Sequence, residues 1–537
     1  MDHYTAIQGL TVPALLRRQA ATYRFKLALS APSWRGHRDR LAYGQLVQRM
    51  TTMADALHAR GLRAGDRVAL FLANTAAREG VLTALGCWDL GATVAPLNVR
   101  SSDEELMHAI ALVDPAMIVT QASDVARLRA MHAGTRLLVL DADGADAWPD
   151  PQTTHTPLTE PVPRNKNPGA LSCLLFTSGT TARAKAVMHS HTSQLHAGFA
   201  VGAALGLRDT DTYQGAWPLF TSSVLNMACM ASWVYGAGVV LEPNTLDNAS
   251  RLRLIAAENT SVYHGVTAPL HFMIDEYARG DYDLSSVRRL GYGGAVMHAE
   301  VIEKFRKRLP WVDQIHIWGM TETGPAGTWL PSWFLPRKAG CIGMPMPGCA
   351  VRVIDDAGVP VAQGETGEIT FSGPSMALGY FRSEAATAEA FVDGWVRTGD
   401  LGRIDDEGHL HFVDRKKDIV NRGGLKIASA SVEEVLHRFP GVIEAAVVAV
   451  PHSGLGEDVA ACVVFAPDAQ PDLDALRAFC ARHLADYARP RHWYLLAALP
   501  KNPMGKVLKR DLRASIQAGQ LQESPAGTVN SHQEGHA

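Results

Sequence analysis

Hydrophobic and polar positions follow two alternating patterns from about residue 67 to residue 322. Short runs rich in β-branched residues, typical of buried strands, are separated by segments with the apolar spacing of amphipathic helices. The clearest helix starts at Ser102, which forms a capping box with Glu105 ahead of apolar positions at Leu106, Ile110 and Val113. Alternating strands and helices predict parallel sheets covered by helices. The strand-like runs are 67–74, 92–98, 116–121, 136–143, 173–181, 261–266 and 314–322.

The pattern changes after about Asp414, where a smaller unit of mixed helices and strands is predicted. Its predicted elements are a helix capped at Ser431 and ending near Arg438, apolar runs at 445–450 and 459–465, and an amphipathic helix from Asp472 to about Tyr487. We therefore predict an α/β fold with a large N-terminal body of helix-covered β-sheets and a small mobile C-terminal α+β domain. The predicted boundaries are 1–414 for the body, 415–520 for the small domain and 521–537 for a disordered tail.

Two other stretches of the chain, one without charged residues and one rich in Pro and Thr, also allow predictions. Thr212–Leu241 contains no charged residue, but Pro218, Asn226 and the lack of a basic flank favour a buried core helix over a membrane span. Trp148–Pro168 is rich in Pro and Thr, which predicts a surface connection.

Composition excludes several functional classes. The chain of 537 residues holds 51 Lys and Arg against 54 Asp and Glu, a net charge of -3, so binding of nucleic acid or an anionic bilayer through overall charge is not expected. The seven cysteines are scattered without a C-x-x-C pair, which predicts buried thiols rather than a disulfide framework or a zinc cluster. The first residues do not resemble a secretory signal, so we expect a cytoplasmic protein.

One strand-like run ends in small hydroxyl residues and a lysine. Thr177, Ser178, Gly179, Thr180 and Thr181 precede Lys185. Backbone N–H groups and hydroxyls in such a turn bind phosphate, and the lysine adds positive charge. The run is not a Walker A loop, because Ala184 precedes Lys185 and no Ser or Thr follows it. If this run were the only motif in the chain, a surface turn rich in Ser and Thr would be the simpler interpretation.

Further motifs follow in an order that resembles the adenylate-forming superfamily of acyl-CoA synthetases, peptide-synthetase adenylation domains and beetle luciferases. Its phosphate loop reads TSGTT-G-x-PKG, close to the run ending at Lys185. The other matching elements are Tyr292-Gly293-Gly294-Ala295, Trp318-Gly319-Met320-Thr321-Glu322-Thr323, Gly394-Trp395-Val396-Arg397-Thr398-Gly399-Asp400, Asp414-Arg415-Lys416-Lys417-Asp418, Arg422-Gly423-Gly424 and Pro500-Lys501-Asn502-Pro503-Met504-Gly505-Lys506.

The resemblance implies an ATP-dependent carboxylic acid:CoA ligase that forms acyl-AMP with release of pyrophosphate, then acyl-CoA and AMP. Because a carboxylic acid with a pKa of about 4 is already ionised at pH 7, the attack of its carboxylate on the α-phosphate needs no general base. The obstacle is bringing one anion against another, which fixed cations and hydrogen-bond donors overcome. The chain accordingly shows no G-x-S-x-G elbow and no H-E-x-x-H motif.

The resemblance also assigns roles to individual residues, with ATP, Mg²⁺ and CoA as cofactors. Lys185, Thr321, Glu322 and Lys506 would be catalytic, Glu322 holding the Mg²⁺ and Lys506 bridging the substrate carboxylate and the α-phosphate. The nucleotide would be bound by the phosphate loop, by the turn at Gly293, Gly294 and Ala295, by Trp318 and Gly319 at the adenine, and by Asp400 and Arg415 at the ribose. Without the other motifs, the simpler interpretation of Asp400 would be a carboxylate that caps its own turn. Arg415 would then be interpreted as part of a surface ion pair and Lys506 as a solvated lysine.

The two half-reactions imply two arrangements of the small domain, with Lys417 as the hinge. Arg422, Gly423 and Gly424 would then admit the pantetheine arm of CoA, although the two glycines are equally typical of a hairpin turn. The acyl pocket expected from the resemblance is lined by Trp217, Thr221, Ser222, Val266, Tyr292 and Met320. This mixed apolar and small-polar lining suits an aryl or medium-chain carboxylate.

The phosphate loop departs from the family by Ala182, Ala184 and Ala186, and an alanine forced to positive φ costs about 1 kcal/mol. Two alternatives stay open. One is an acyl-AMP ligase that loads a carrier-protein phosphopantetheine, and the other is a nucleotide-binding homologue with weakened catalysis. The expected partners are a small carboxylic acid, ATP and CoA, with a carrier protein as the acceptor in the first alternative.

Overall fold

The structure, a computed structural model, describes most of the chain. The described residues are 3–131, 134–153, 162–177, 184–243, 245–294, 297, 299–335, 337–338, 340–467, 469, 472–501 and 506–524. They pack as two compact units. The first unit comprises Met1–Arg352, Thr370–Thr398 and Ile404–His411, and the second comprises Val353–Ile369, Gly399–Arg403 and Phe412–Ala537.

The elements alternate as the sequence pattern predicts. Up to residue 140 they are α1 (His3–Ile7), α2 (Val12–Thr22), β1 (Leu27–Pro32), β2 (Arg38–Ala42), α3 (Tyr43–Ala59), β3 (Arg67–Leu70), α4 (Ala77–Leu90), β4 (Thr93–Pro96), α5 (Asp103–Val113), β5 (Met117–Thr120), α6 (Ala122–Met131) and β6 (Arg136–Val139).

From residue 171 to residue 345 they are β7 (Leu171–Thr177), β8 (Lys185–Ser190), α7 (His191–Leu205), β9 (Thr212–Gly215), a π-helix (Ser223–Cys229), α8 (Met230–Tyr235), β10 (Gly238–Leu241), α9 (Asn248–Ala257), β11 (Val262–Val266), α10 (Thr267–Tyr277), β12 (Arg289–Gly293), α11 (Ala299–Arg308), β13 (Asp313–Gly319), β14 (Gly327–Leu330) and β15 (Cys341–Pro345).

The remaining elements are β16 (Ala350–Ile354), β17 (Gly367–Ser372), α12 (Glu384–Ala390), β18 (Phe391–Val392), β19 (Trp395–Ile404), β20 (Leu410–Arg415), β21 (Val420–Arg422), β22 (Leu425–Ile427), α13 (Ser429–His437), β23 (Val442–His452), β24 (Gly456–Phe465), α14 (Leu473–His483), β25 (His492–Leu495) and α15 (Lys509–Gln517). Short 3₁₀ turns lie at Asn74–Ala76, Gly144–Asp146, Thr321–Thr323 and Asp486–Ala488.

The first unit holds a six-stranded sheet in the order β6-β5-β3-β4-β7-β8. All its neighbouring pairs are parallel except β7 and β8, which form an antiparallel hairpin. The predicted capping box at the start of α5 is confirmed, because the Glu105 N–H donates to the Ser102 hydroxyl and the Ser102 N–H donates to the Glu105 carboxylate. The three apolar positions predicted for that helix are buried.

A second sheet of the first unit contains the parallel run β13-β12-β11-β9-β10-β1. Alternate residues of these strands enter different cores, since successive side chains of a strand point to opposite faces. Val262 and Ile315 join a core with α7 and α8, whereas Tyr263 and Leu290 join a core with α9, α10 and α11. Helices therefore cover both faces, as expected for parallel strands.

The second unit is built on the sheet β22-β21-β24-β23, with β25 beside β24. In β23, Val447 packs on the side of α13 and α14, while Val448 packs on the side of α15, and β24 alternates in the same way. This α+β unit thus buries both faces of its long hairpin. The predicted domain boundaries stay predictions, and residues 525–537 of the predicted tail lie outside the described part of the chain.

The helix predicted from Ser431 begins earlier, at Ser429. Its first turn is capped from outside, because the backbone N–H groups of Ser429 and Ala430 donate to the Asp414 carboxylate, which also accepts from the Ser429 hydroxyl at 2.7 Å. The helix predicted from Asp472 ends at His483, four residues short, and a 3₁₀ turn at Asp486–Ala488 follows. Asp472 caps its start, since the Ala475 N–H donates to Asp472 Oδ1.

The expectation of a surface connection from Trp148 is wrong at its start, because residues 148–151 are buried. Trp148 is 5% exposed, and its indole N–H donates to the Thr83 hydroxyl at 2.9 Å. Thr212–Leu241 is buried for most of its length, and its helical part is Ser223–Tyr235 flanked by β9 and β10. Among the described residues, none of the helices has the length and apolarity that a membrane crossing requires. The seven cysteines are free thiols, six of them buried, as predicted.

Candidate active site

Several predicted site segments start at the same edge of the second sheet. Val266, Gly293 and Ile317 are register partners near the carboxyl ends of β11, β12 and β13. The carboxyl ends of parallel strands form the ligand-binding edge in α/β sheets. The predicted adenine turn at Gly293 and Gly294 and the segment after Ile317 therefore begin side by side.

The segment after β13 turns sharply. Trp318 is half-buried, with its indole stacked on Phe371 at a centroid distance of 5.2 Å. Gly319 leaves room for the returning chain, because a Cβ there would lie 2.0 Å from the Pro325 carbonyl oxygen. Thr321 and Glu322 then form the 3₁₀ turn, and Glu322 is 6% exposed. The turn presents Trp318, Thr321 and Glu322 at the binding edge.

A tyrosine links Glu322 to Lys185. The Tyr380 hydroxyl donates to Glu322 Oε1 at 2.9 Å, and the Lys185 Nζ lies 4.7 Å from the centroid of the Tyr380 ring. Burial, followed by the charge of Glu322, raises the pKa of Tyr380, so the phenol keeps its proton and acts as the donor. The structure thus brings together two residues that the sequence predicted from separate motifs.

The hairpin of β7 and β8 carries the predicted phosphate loop. Thr177 and Lys185 are register partners at the end of the hairpin where the connecting loop begins. Ser178, Gly179, Thr180, Thr181 and the adenine-turn residue Ala295 lie outside the described residues. Ala186 lies within β8 as extended backbone, so its replacement of a family glycine carries no positive-φ strain.

The predicted acyl-pocket residues Trp217, Thr221 and Ser222 precede the π-helix, a rare element that is frequent at functional sites. Asn74 fixes this segment, since its side chain donates to the Trp217 carbonyl at 2.6 Å and accepts the Leu219 N–H at 2.7 Å. The Thr221 hydroxyl donates to the Pro218 carbonyl.

Val266 packs against the same core as Trp217, and Met320 is half-buried beyond β13. The structure does not bring Tyr292 into that core. Because side chains alternate along β12, Tyr292 packs on the other face, where its ring stacks with His316 at 5.4 Å. Gly291 and Gly293 occupy the positions of β12 that face the core of Trp217.

The two arginines at the start of β12 are paired away from this region, and the buried His264 is neutral. Arg288 donates to Asp211 and to the Gly206 carbonyl, and Arg289 pairs with Asp313, all at the amino end of β12. His264, hydrogen-bonded to the Tyr213 hydroxyl at 2.8 Å, has a pKa lowered to about 3 by burial, with His316 adding to the reduction. His264 is therefore uncharged at neutral pH.

The second unit brings together Asp400, Arg415 and Lys506. The Arg415 Nε lies 3.3 Å from Asp400 Oδ1. Desolvation raises the pKa of the buried Asp400 carboxyl, and Arg415 and then Lys506 oppose that rise. Lys506 is an exposed residue, yet desolvation of its ammonium group lowers its pKa to about 8, with Arg415 adding to the reduction and Asp400 opposing it. The three groups form one electrostatically coupled cluster.

The predicted hinge and CoA segment lie close to this cluster in sequence. Desolvation lowers the pKa of Lys417. Arg422 donates to Asp458 at 2.7 Å, and Gly423 and Gly424 form the two-residue turn between β21 and β22, with φ of +58° and +88°. The alternative of a hairpin turn is therefore confirmed for the two glycines, and both require the left-handed conformation that glycine favours.

The donor set fits a magnesium ion that arrives with a nucleotide. Within the described ranges, no cluster of three or more His, Cys, Asp or Glu side chains could hold a metal. Mg²⁺ in nucleotide sites takes one or two protein carboxylates, with phosphates and water completing its octahedron. Glu322 supplies such a carboxylate, with one oxygen fixed by Tyr380.

Sequence reasoning missed Tyr380 and Asn74. Neither lies in a motif quoted above, and each acts on a segment distant along the chain. A weak signal for Tyr380 was available in Gly379-Tyr380, a glycine and an aromatic residue shortly before α12.

Comparison with known proteins places these features in a family. The AMP-binding enzyme family model matches residues 16–381, and the model of the AMP-binding enzyme C-terminal domain matches residues 431–506. A feruloyl-CoA synthase from an Amycolatopsis species is 33% identical over 88% of this chain and 93% of its own length. ATP-bound MatB from Rhodopseudomonas palustris matches with a TM-score of 0.83 and 28% identity over 94% of this chain and 99% of that chain.

The o-succinylbenzoate coenzyme A synthetase MenE from Bacillus subtilis, solved with ATP and magnesium, matches with a TM-score of 0.82 and 26% identity over 93% of this chain and 98% of that chain. These likenesses extend over both units. The chain belongs to the AMP-binding enzymes and is an ATP-dependent acid:CoA ligase of the AMP-forming type.

Proposed function

We propose that this ligase activates an aryl or medium-chain monocarboxylic acid, and that the residues predicted from its motifs carry the reaction. The supporting observation is the contact of Tyr380 with both Glu322 and Lys185. It brings a carboxylate suited to Mg²⁺ and a cation suited to phosphate to the edge where the parallel strands end.

In the first half-reaction a carboxylate oxygen of the acid attacks the α-phosphorus of ATP, and the bond to pyrophosphate breaks. Lys185 and the hydroxyls of the phosphate loop bind the β- and γ-phosphates, and Thr321 contacts the α-phosphate. Glu322 would hold Mg²⁺, which would supply positive charge against the phosphates. Lys506 attracts both the carboxylate and the α-phosphate, so it stabilises the charge that the two anions share as they react.

We assign the orientation of the nucleotide to a further set of residues. Trp318 offers an indole face to the adenine, and Gly293 and Gly294 allow the backbone to approach the base. Asp400 accepts hydrogen bonds from the ribose hydroxyls, and Arg415 donates to the same sugar. Arg415 already holds the Asp400 carboxylate at 3.3 Å, which prepares that carboxylate for the sugar.

The choice of acid follows from the uncharged surroundings of Trp217. Of the predicted lining, Trp217, Val266 and Met320 are apolar, and His264 beside Trp217 is neutral. Arg288 and Arg289 are paired at the opposite end of β12. An acid with a second carboxylate would find no free cation among these residues, which favours a monocarboxylate with an aromatic ring or an alkyl chain.

In the second half-reaction the CoA thiolate attacks the acyl carbonyl carbon, and AMP leaves. We assign Lys417 as the hinge and Arg422, Gly423 and Gly424 as the segment along which the pantetheine arm passes. The open space around Gly424, where an added Cβ would meet no atom within 4 Å, supports this assignment.

A panel of acids tests the proposal. Benzoic, cinnamic, hexanoic, octanoic and malonic acids are incubated with ATP and Mg²⁺, with CoA or with a holo-carrier protein as the acceptor, and AMP, pyrophosphate and acyl thioester are measured by mass spectrometry. We expect thioester formation from aryl or medium-chain acids and CoA. A preference for malonic acid would overturn the proposed substrate class, and transfer to the holo-carrier alone would overturn the proposed acceptor.

A further inference from the structure

Tyr380 touches two residues of the proposed reaction without belonging to a motif that predicted them. Its side chain is buried, with 8% of the residue exposed. The hydroxyl donates to Glu322 Oε1 at 2.9 Å, and the ring face lies 4.7 Å from the Lys185 Nζ. One side chain therefore contacts both the proposed magnesium ligand and the proposed phosphate-binding lysine.

The backbone around Tyr380 is fixed against β8. The Leu378 N–H donates to the Met188 carbonyl, and the Phe381 N–H donates to the Ala186 carbonyl, both at 2.8 Å. Tyr380 itself forms an antiparallel bridge with Val187, the second residue after Lys185. The segment thus pairs with the strand that carries Lys185.

A second set of contacts fixes the same segment to the turn of Glu322 and to α12. The Ala377 N–H donates to the Glu322 carbonyl at 2.9 Å, and the Tyr380 N–H donates to the Thr387 hydroxyl at 2.9 Å. Gly379 has a φ of +128°, and a Cβ there would lie 2.5 Å from Thr387 Cγ2, so the chain can turn here only with glycine. Tyr380 is anchored on both sides, which leaves its ring and hydroxyl little freedom.

The two contacts act differently on their partners. A phenol donating to a carboxylate makes a charge-assisted hydrogen bond, which fixes the rotamer of the carboxylate. An aromatic face attracts an ammonium group without neutralising it, whereas a carboxylate at the same place would pair with the lysine and reduce its attraction for phosphate. Tyrosine can therefore orient both groups and leave the positive charge of Lys185 available.

We propose that Tyr380 is a positioning residue that orients the Glu322 carboxylate for nucleotide-bound Mg²⁺ and the Lys185 ammonium for the phosphates. This inference rests on the proposed roles of Glu322 and Lys185. It assigns a function to the segment between β17 and α12.

The test separates the hydroxyl from the ring. Tyr380→Phe removes the hydrogen bond to Glu322 and keeps the aromatic face. Mn²⁺ affinity is measured by electron paramagnetic resonance with α,β-methylene ATP present, together with the Mg²⁺ dependence of pyrophosphate exchange. Loss of one hydrogen bond to a charged group predicts about tenfold weaker Mn²⁺ binding and a similar rise in the Mg²⁺ concentration for half-maximal exchange.

Two further variants distinguish positioning from a general structural effect. Tyr43→Phe is the matched control, because the buried Tyr43 hydroxyl donates to the Ala237 carbonyl at 2.7 Å in the core of the first unit. Its Mn²⁺ affinity should equal that of the wild type. In a Glu322→Gln background, Tyr380→Phe should add less than a twofold effect, because its partner carboxylate is already lost.

An unchanged Mn²⁺ affinity in Tyr380→Phe would overturn the inference, as would an equal loss in the Glu322→Gln background. Circular dichroism of each variant identifies unfolding. If Tyr380→Phe fails to fold, Thr387→Val, which removes the hydroxyl that holds the Tyr380 N–H, must weaken Mn²⁺ binding, and a wild-type affinity there overturns the inference. Failure of the proposed function has a different signature, since the wild type itself would then bind no Mn²⁺–nucleotide.

Discussion

The lowered pKa of Lys506 allows a direct test of its proposed role. The group must be protonated to attract the substrate carboxylate and the α-phosphate. Desolvation, followed by the charge of Arg415, lowers its pKa from the usual 10.5 to about 8, while Asp400 opposes the reduction. The active, protonated form therefore decreases as the pH rises through about 8. At pH 9 about one tenth of the free enzyme carries the charge, and at pH 10 about one hundredth.

Acid-dependent exchange of pyrophosphate into ATP, measured without CoA from pH 6.5 to pH 10, is the suitable assay because the CoA thiol is absent. The ratio kcat/KM reports the free enzyme, so we expect it to fall about tenfold per pH unit above about 8. The pH at which kcat falls should be higher, because bound anions stabilise the ammonium form.

Two substitutions complete the test. Lys506→Ala removes one preorganised charge and should lower the exchange rate about 10²–10³-fold. Lys506→Arg keeps a charge that does not titrate in this range, so its residual activity should lack the fall above about pH 8. A wild-type profile that stays flat to pH 10, or a fall that persists in Lys506→Arg, would show that Lys506 is not the titrating group that the reaction requires.

Two other predictions concern the adenine site and the fold of the second unit. Trp318→Ala should raise the KM for ATP about tenfold with little change in kcat, because stacking of a base on an aromatic ring contributes ~1–3 kcal/mol. Steady-state kinetics measures both constants. A Trp318→Tyr variant, which keeps an aromatic ring, should have the wild-type KM. Asp414→Ala removes the carboxylate that accepts from Ser429 and should destabilise the start of α13 by about 1–2 kcal/mol, visible as faster hydrogen exchange over Ser429–His437. Unchanged exchange there would show that Asp414 does not cap the helix, and Asp472→Ala, which affects only α14, is the control.

Local signals in the sequence were sufficient for much of the fold. The capping box of Ser102 and Glu105 lies within four residues, so it predicts the start of α5 without knowledge of the rest of the chain. Asp414 caps α13 from a preceding strand, and no local pattern reveals such a partner. The helix therefore begins at Ser429 rather than at the predicted Ser431.

The candidate site likewise combines features that local motifs predict with features that only tertiary contacts determine. Motif order predicted roles for Glu322, Lys185 and Asp400, but the contact that links Glu322 to Lys185 through Tyr380 is a tertiary one. Successive side chains of β12 point to opposite faces of the sheet, so Tyr292 lies on the face opposite to that of Gly291 and Gly293. The type of acid depends on side chains from several elements, which a linear sequence does not bring together.

The central claim is that a carboxylate oxygen of the acid becomes bonded to the α-phosphorus of ATP. An acid that the enzyme activates, labelled with ¹⁸O in both carboxyl oxygens, is converted with ATP, Mg²⁺ and CoA in unlabelled water, and the AMP is analysed by mass spectrometry. One ¹⁸O atom is expected in the phosphate of each AMP. Unlabelled AMP, or label in orthophosphate accompanied by ADP, would contradict it.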